Sequence, residues 1–167
     1  MKIKILISGM NGPIAYELVY FLKKKYYVIG IDSSKYGIGK KICDEFYVCP
    51  RGTTKSFIYF LNKISKKVNY VFLYVDEELT NISSSKFLNV DTKEKIISSP
   101  FKTIQICINK LKFYNHFINT SILIPKNVSR GRAIAKPVFG RGSRNINIIN
   151  KKIDHVYFNE SNKFIVQ

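Results

Sequence analysis

Segments typical of β-strands and of α-helices alternate along the first part of the chain, and this alternation constrains the fold more than any other feature. Lys2–Ser8 has alternating apolar side chains, a glycine turn follows it, and Pro13 then opens a helix with apolar residues at helical spacing. Further strands are predicted at Tyr27–Ile31, Glu45–Cys49, Tyr70–Val75 and Lys95–Ile97. Strands separated by helices form parallel sheets that carry helices on their faces. The sequence therefore predicts an α/β domain with a Rossmann-like, doubly wound parallel sheet over residues 1–98.

The pattern changes after Ser98. Apolar spacing predicts the connecting helices Thr53–Lys66 and Asp76–Phe87 before this point, and one long helix from Phe101 after it. Beyond that helix, short strands without clear helices between them are predicted at Ile122–Ile124, Arg132–Lys136, Asn145–Ile149 and Phe164–Val166. We therefore predict a second, incomplete α+β lobe over residues 99–167.

The chain is strongly basic, with 28 Lys and Arg against 11 acidic residues and a net charge of +17. Such a charge is typical of proteins with anionic partners. The abundance of Lys, Ile, Asn and Tyr is equally typical of an AT-rich genome, and the basic residues are scattered in pairs and triplets. We favour this compositional interpretation for most of the charge.

The three cysteines and two histidines have no metal-site spacing, so no metal site is predicted. An odd cysteine count without CxxC pairs argues against a disulfide framework and fits a reducing compartment. No signal peptide is recognisable, and no stretch approaches the roughly 20 apolar residues of a spanning helix. These features predict a soluble, cytoplasmic protein with no membrane partner.

The turn after the first strand contains Gly9, Asn11 and Gly12, and Asp32 ends the second strand. Bare backbone N–H groups at a helix start favour an anion. Asp32 would suit a ribose hydroxyl in a dinucleotide-binding fold, but the glycine spacing is not GxGxxG. We therefore disfavour a nicotinamide cofactor, and keep the four residues as candidate substrate-binding residues beside the alternative of a tight turn.

Asp76 and Glu77, followed by a third acid, come directly after the most apolar strand. Adjacent carboxylates at such a position could bind a substrate amine or a metal. Acidic residues also stabilise the first turn of a helix through its dipole. Both interpretations stay open from the sequence.

The sharpest signal is a short apolar strand that carries Lys136 and is followed by a loop rich in glycine and arginine, Gly140, Arg141, Gly142, Ser143 and Arg144. Glycine lets the backbone approach a phosphate closely, and a lysine on a strand supplies a fixed positive charge. The pattern is not a Walker A loop. It predicts a phosphate-holding loop, and a basic hairpin turn is the alternative.

The order of these elements resembles the ATP-grasp superfamily, in particular the group similar to the carbamoyl-phosphate synthase large subunit. That group opens with a Rossmann-like pre-ATP-grasp domain, and segments similar to it here are Ile5–Gly9, Val28–Asp32, Glu45–Val48 and Val75–Leu79. A helix with an Asn-Lys pair, here Asn109-Lys110, precedes the strand with Lys136. The resemblance covers nearly the whole chain.

The resemblance implies specific roles for residues of the second lobe. Lys110 and Lys136 would contact ATP, Gly140–Arg144 would close over its phosphates, and Gln167 would lie beside the adenine. It also implies a ligase that activates a small carboxylate as an acyl-phosphate, for coupling to an amine or a related nucleophile. The family's Mg²⁺ ligands have no counterpart before Gln167, so no catalytic residue is identified. We expect a truncated or split protein that is inactive alone, with a downstream-encoded polypeptide and Mg²⁺ completing the site.

Two rival functions remain. A basic Rossmann-like module for nucleic acid or nucleotides would explain the charge and the many Tyr and Phe residues. We disfavour nucleic acid because those aromatic residues stand mostly at core-spaced positions. A fragment of an NAD-dependent oxidoreductase is disfavoured by the imperfect glycine turn.

Overall fold

The computed structural model describes residues 2–128, 131–140, 142–143, 145–149 and 163–167. The chain divides into two compact units, Met1–Ser99 and Pro100–Gln167. The predicted boundary after residue 98 lies one residue from this division. Among the described residues, no helix combines the length and apolar character that crossing a bilayer would require.

The first unit contains a five-stranded sheet in which every pair of neighbouring strands is parallel. Its strands are β1 (Lys4–Ile7), β2 (Tyr27–Asp32), β3 (Glu45–Val48), β4 (Tyr70–Phe72) and β5 (Ile96–Ile97). Their order across the sheet is β3-β2-β1-β4-β5, so β1 and β4 are neighbours although β2 and β3 lie between them in sequence. The predicted α/β class with a parallel sheet is confirmed.

Helices connect these strands: α1 (Pro13–Leu22), α2 (Gly39–Ile42), α3 (Lys55–Ile64), α4 (Asp76–Ser84) and α5 (Val90–Lys95). Pro13 occupies the start of α1, where its missing N–H costs nothing. The Thr54 side chain caps α3 by accepting from the backbone N–H of Phe57 at 3.3 Å. The sequence did not predict α2 and α5, because four and six residues are too few to display a helical period.

Two apolar clusters cover the two faces of this sheet. On one face, strand residues Leu6, Ile29 and Val71 pack against Phe57 and Leu61 of α3. On the other face, strand residues Ile5, Ile7 and Val28 pack against Ala15 and Val19 of α1. Neighbouring residues of a strand therefore face opposite clusters. Both faces are thus covered, and the open part of the sheet is the edge where the strands end.

The second unit contains α6 (Phe101–Ile108), α7 (Lys110–Phe117) and a three-stranded sheet. Its strands are β6 (Ala133–Pro137), β7 (Asn147–Ile149) and β8 (Phe164–Val166), in the order β7-β6-β8 with antiparallel pairing. The predicted antiparallel element is therefore present, with β6 at its centre.

Two local predictions for this unit are wrong. The single long helix is divided, because Asn109 has extended backbone angles (φ −108°, ψ 104°) and starts a new helix. The predicted strand Ile122–Ile124 is irregular chain. Its Leu123 side chain is 99% exposed, so the apolar run that suggested a strand does not enter a core.

The sequence-based placement of the aromatic residues at core positions holds for only part of them, since several are partly buried against the two clusters and others are exposed. The partly buried ones are Tyr26, Tyr27, Phe46, Tyr47, Phe60, Phe72 and Tyr74. Among the described aromatic side chains, only Phe57 is buried. The exposed aromatic residues are Tyr16, Tyr20, Phe21, Tyr36, Tyr59, Tyr70, Phe87, Phe101, Phe113 and Phe139. The objection to a nucleic-acid partner that rested on core-placed aromatic rings therefore does not apply to the exposed ones.

Candidate functional site

A cavity of about 300 Å³ in the second unit brings together three of the residues predicted to contact a nucleotide. Lys110, Lys136 and Gln167 line it, although 26 and 31 residues separate them in sequence. The other lining residues are Cys107, Phe113, Tyr114, Ile124 and Pro125. The cavity is therefore lined partly by apolar and aromatic side chains, and its charged and amide groups are the ammonium groups of Lys110 and Lys136 and the side-chain amide of Gln167.

The break between α6 and α7 places Lys110 in this cavity. The Asn109 side chain accepts a hydrogen bond from the backbone N–H of Lys112 at 2.9 Å, which caps α7 and makes Lys110 its first residue. The backbone N–H of Lys110 donates to the carbonyl of Val138 at 3.0 Å, so the helix start is fixed to the segment after β6. Phe113 and Tyr114 follow three and four residues later, on the same helical face.

The pairing of β6 with β8 positions the other two polar residues. Ile134 and Gln167 exchange two backbone hydrogen bonds, of 2.7 and 3.0 Å. Lys136 lies on the same strand, and its ammonium donates to Gln167 Oε1 at 3.3 Å. Gln167 Nε2 in turn donates to the carbonyl of Pro125 at 2.9 Å. This chain of hydrogen bonds fixes the Gln167 amide and directs Lys136 toward the cavity.

Lys110 contacts the start of the predicted phosphate loop directly. Its ammonium donates to the carbonyl of Gly140 at 2.9 Å. Gly140 and Gly142 have positive φ (143° and 62°), as does Ser143 (55°), so the chain reverses here in conformations that favour glycine. Arg141 and Arg144 lie outside the described residues.

Sequence reasoning missed the apolar half of this cavity. Lys110, Phe113 and Tyr114 stand at spacings of three and four residues on α7, and this helical spacing was the signal that could have identified the lining face. Ile124 and Pro125 carried no such signal, because they belong to irregular chain.

The candidate residues of the first unit lie at the carboxyl edge of the parallel sheet, but their polar groups bind the protein itself. The two Asp32 carboxylate oxygens accept from the backbone N–H groups of Asn11 (2.9 Å) and Ser34 (2.8 Å). The Asn11 side chain donates to the carbonyl of Ser34 at 2.9 Å and accepts from the N–H of Gly39 at 3.0 Å. Asp32 and Asn11 thus connect the turns after β1 and β2, as the tight-turn alternative expected.

Gly9 and Gly12 shape the same turn. Gly9 has φ of +60°, and a Cβ atom there would lie 2.8 Å from Val75 Cγ2, so no larger residue fits without movement. The N–H of Gly12 donates to the carbonyl of Gly9 at 2.9 Å. The Tyr74 hydroxyl also donates to that carbonyl, at 2.9 Å, and connects the glycine turn to the chain after β4.

The acidic residues after β4 form the first turn of α4, which fits the helix-capping interpretation. Asp76 and Glu77 are half-buried, and Glu78, which was not among the candidates, is 5% exposed. Gly52 packs against Glu78 so closely that a Cβ atom would come within 2.5 Å of Glu78 Cγ. The described residues hold no group of three or more His, Cys, Asp or Glu side chains that could bind a metal ion.

Two ionisable side chains beside these carboxylates have strongly raised pKa values. Burial, with smaller contributions from the Glu78 and Asp32 carboxylates, raises the pKa of Cys49 to about 12. The same causes raise the pKa of Tyr74 to about 12. Both groups are therefore neutral at physiological pH.

No family model matches the sequence, and no curated protein matches it either. The fold does match solved structures. N5-carboxyaminoimidazole synthetase from Staphylococcus aureus, in a complex with ADP, matches with a TM-score of 0.70 and 17% identity over 99% of this chain. N5-carboxyaminoimidazole ribonucleotide synthetase from Thermotoga maritima matches with a TM-score of 0.64 and 19% identity over 100% of this chain.

An L-amino acid ligase from Bacillus licheniformis matches with a TM-score of 0.62 and 12% identity over 99% of this chain. The chain spans less than half of each of these proteins: 47% of the first, 46% of the second and 43% of the third. At these identities, the likeness is one of fold.

Proposed function

The chain has the fold of the amino-terminal portion of ATP-grasp ligases, and from this premise we propose that its second unit binds ATP in the cavity between α7 and β6. One observation carries the proposal. Lys110, Lys136 and Gln167, three residues assigned to ATP from the sequence, line the same cavity. Two of the matching solved structures are complexes with ADP, which supports a nucleotide as the ligand.

The lining residues divide into a polar and an apolar part, as a nucleotide requires. The ammonium groups of Lys110 and Lys136 bind phosphate oxygens, because charge-assisted hydrogen bonds to anions are the strong ones in proteins. Phe113 and Tyr114 supply a wall for the base, and the amide of Gln167 lies beside it. Lys110 exchanges the Gly140 carbonyl for a phosphate when the ligand enters.

The loop of Gly140, Gly142 and Ser143 closes over the phosphates through its backbone N–H groups. Its positive φ values suit this role, because consecutive turns with such angles direct N–H groups toward one point. We keep Arg141 and Arg144 in the proposal as further phosphate-binding residues, on the sequence alone.

The first unit is proposed to hold the small carboxylate substrate at the carboxyl edge of its sheet. Asp76 and Glu77 are the candidate contacts for an amine group of a substrate there, while Gly9, Asn11, Gly12 and Asp32 shape the edge. The names of the matching proteins, two synthetases that form carboxyamino products and an amino-acid ligase, support coupling of a carboxylate to a nitrogen nucleophile. The finer likeness to the carbamoyl-phosphate synthase large subunit and the cytoplasmic location stay predictions.

The proposal for this chain ends at binding. Because the described residues offer no acidic cluster for a metal, they do not fit a Mg²⁺ site, and no phosphoryl-transfer step is assigned to them. We propose that Mg²⁺ ligands and turnover require a further polypeptide, in keeping with the 47% share of the Staphylococcus aureus synthetase that the chain spans.

Calorimetric titration with ATP tests both parts of the proposal. We expect the 167-residue chain to bind ATP, and Lys136→Ala to weaken binding about 10- to 100-fold, the range of one charge-assisted hydrogen bond. Lys112→Ala removes an exposed lysine of the same helix that does not line the cavity, and is expected to bind as the wild type does. Phosphate release from the same samples, with Mg²⁺ and a carboxylate added, is expected to stay at the buffer rate.

Two results would contradict the proposal separately. Equal losses of affinity in the two lysine variants, or no binding by the wild type, would remove the nucleotide site from this cavity. Phosphate release that depends on the protein would leave the nucleotide site in place but refute the requirement for a second polypeptide.

A further inference from the structure

A second, larger groove lies on the first unit, well separated in sequence from the residues of the nucleotide cavity. Its volume is about 530 Å³. The seven residues that line it come from α3, from the 3₁₀ turn directly after α3, and from the chain between α4 and α5: Tyr59, Asn62, Lys63, Lys66, Lys86, Phe87 and Asn89. We call it the α3 groove. None of the roles assigned above uses any of these residues.

Two exposed aromatic rings stand side by side in the α3 groove. The ring centroids of Tyr59 and Phe87 are 6.0 Å apart, with 45° between the ring planes. Their side chains are 56% and 48% exposed, so these rings are not used by the core of the unit. Large rings at a solvent-open groove offer apolar faces on which another planar ring can stack.

Asn62 holds the groove wall in place. Its side-chain amide donates to the carbonyl of Phe87 at 2.8 Å, and its Oδ1 accepts from the backbone N–H of Asn89 at 3.0 Å. Both ends of the amide are thus bonded to the backbone on either side of Leu88. This pair of hydrogen bonds fixes Phe87 opposite Tyr59, so the aromatic platform exists without a ligand.

Positive charge surrounds the rings. Lys63 lies in the last turn of α3 and Lys66 in the 3₁₀ turn that follows it (Ser65–Lys67), while Lys86 precedes Phe87 on the opposite wall. The ammonium of Lys55, the first residue of α3, lies 5.5 Å from the centroid of the Phe87 ring. No acidic side chain is among the seven lining residues, so the groove attracts anions.

We propose that the α3 groove binds single-stranded nucleic acid, with bases stacked on Tyr59 and Phe87 and phosphates paired with Lys63, Lys66 and Lys86. Proteins that bind single strands combine these two elements, a basic groove and aromatic rings for the bases. Lysines on both walls suit a chain of several phosphates. The net charge of +17 adds a long-range attraction for the same class of partner.

The sequence disfavoured this partner for a reason that does not apply to Tyr59 and Phe87, which are exposed. In the sequence, Lys63, Lys66 and Lys86 do not form one basic cluster, and the aromatic residues stand mostly at positions with core spacing. The fold instead gathers the lysines at one groove and leaves the two rings exposed.

Fluorescence anisotropy with a labelled oligodeoxythymidylate tests the proposal. The triple variant Lys63→Ala/Lys66→Ala/Lys86→Ala is expected to bind the oligonucleotide at least about tenfold more weakly. The plot of log affinity against log salt concentration is also expected to become less steep by about 2, because each lost phosphate contact removes roughly 0.7 from the slope. The matched variant Lys2→Ala/Lys40→Ala/Lys41→Ala removes the same charge from exposed sites of the same unit, and is expected to lose less than about threefold. Excess ATP is expected to leave binding of the oligonucleotide unchanged.

A second pair of variants tests the stacking rings. Tyr59→Ala is expected to weaken binding about fivefold or more, whereas Tyr59→Phe keeps a ring and is expected to bind as the wild type does. Thermal unfolding followed by circular dichroism verifies that each variant is folded. Equal losses in the two lysine triples, displacement of the oligonucleotide by ATP, or equal affinity of Tyr59→Ala and Tyr59→Phe would overturn the proposal.

Discussion

Burial beside carboxylates gives Cys49 and Tyr74 the most strongly raised pKa values that the described residues show, near 12 for both side chains. Their neutral forms are therefore part of the folded state of the first unit. A group whose folded pKa exceeds its unfolded value stabilises the fold below the unfolded pKa, and this contribution is lost as the pH rises toward the folded pKa. For Cys49 the window runs from its ordinary value of 9.0 to about 12.

We predict that the free energy of unfolding falls as the pH rises through this window, and that Cys49→Ala makes the fall less steep. The measurement is urea unfolding, followed by circular dichroism, at a series of alkaline pH values. Cys107→Ala, which changes an exposed thiol, is the control and is expected to keep the wild-type pH dependence. Identical slopes for Cys49→Ala and the wild type would show that the Cys49 thiol does not couple to folding.

At the residue scale, the sequence identified chemically suitable side chains but could not say what they bind. Asp32 and Asn11 were candidate substrate contacts, and the structure shows that their hydrogen-bonding groups connect two turns. Such pairing between residues 21 apart depends on the register of the parallel strands, which no local pattern encodes. Lys110 and Lys136 were assigned through a family resemblance, and their shared cavity supports that assignment without testing it.

At the scale of the elements, the division between α6 and α7 is the feature on which the proposed nucleotide cavity depends. A continuous helix would satisfy the apolar spacing from Phe101 onward, and the sequence predicted one. The Asn109 side chain competes with the helix by capping the following turn, as short polar side chains do. Asn is a good capping residue, which was visible in the sequence, but the hydrogen bond from the Lys110 N–H to the Val138 carbonyl joins residues 28 apart and was not.

We predict that Asn109→Ala costs about 1 kcal/mol of unfolding free energy, the usual value of a helix cap. Affinity for ATP falls as well, because Lys110 is the first residue of the helix that loses its cap. Asn109→Ser supplies another capping oxygen and is the control. Chemical unfolding and ATP titration of both variants measure the two effects. A stable, tightly binding Asn109→Ala variant would show that the cap does not hold Lys110 in place.

At the scale of the whole molecule, strand and helix periodicity predicted the parallel sheet well, because both faces of that sheet are buried and its central strands are rich in apolar residues. The order of its strands, with β4 beside β1, followed only from the fold. Short elements such as α2 and the exposed run around Leu123 were misjudged, since they are too brief or too solvent-exposed for periodicity to report on them. The two units each carry one candidate ligand surface, the α3 groove and the nucleotide cavity.

The most direct test of the nucleotide cavity uses Cys107, an exposed thiol in its wall, while Cys43 and Cys49 are buried. We predict that one thiol, that of Cys107, reacts rapidly with iodoacetamide, as peptide mass spectrometry would show. With ATP at ten times its Kd, the reaction is expected to slow about tenfold, because only the unoccupied fraction reacts. Lys136→Ala at the same ATP concentration is expected to lose most of this protection. Equal rates of Cys107 alkylation with and without saturating ATP would contradict the assignment of this cavity as the nucleotide site.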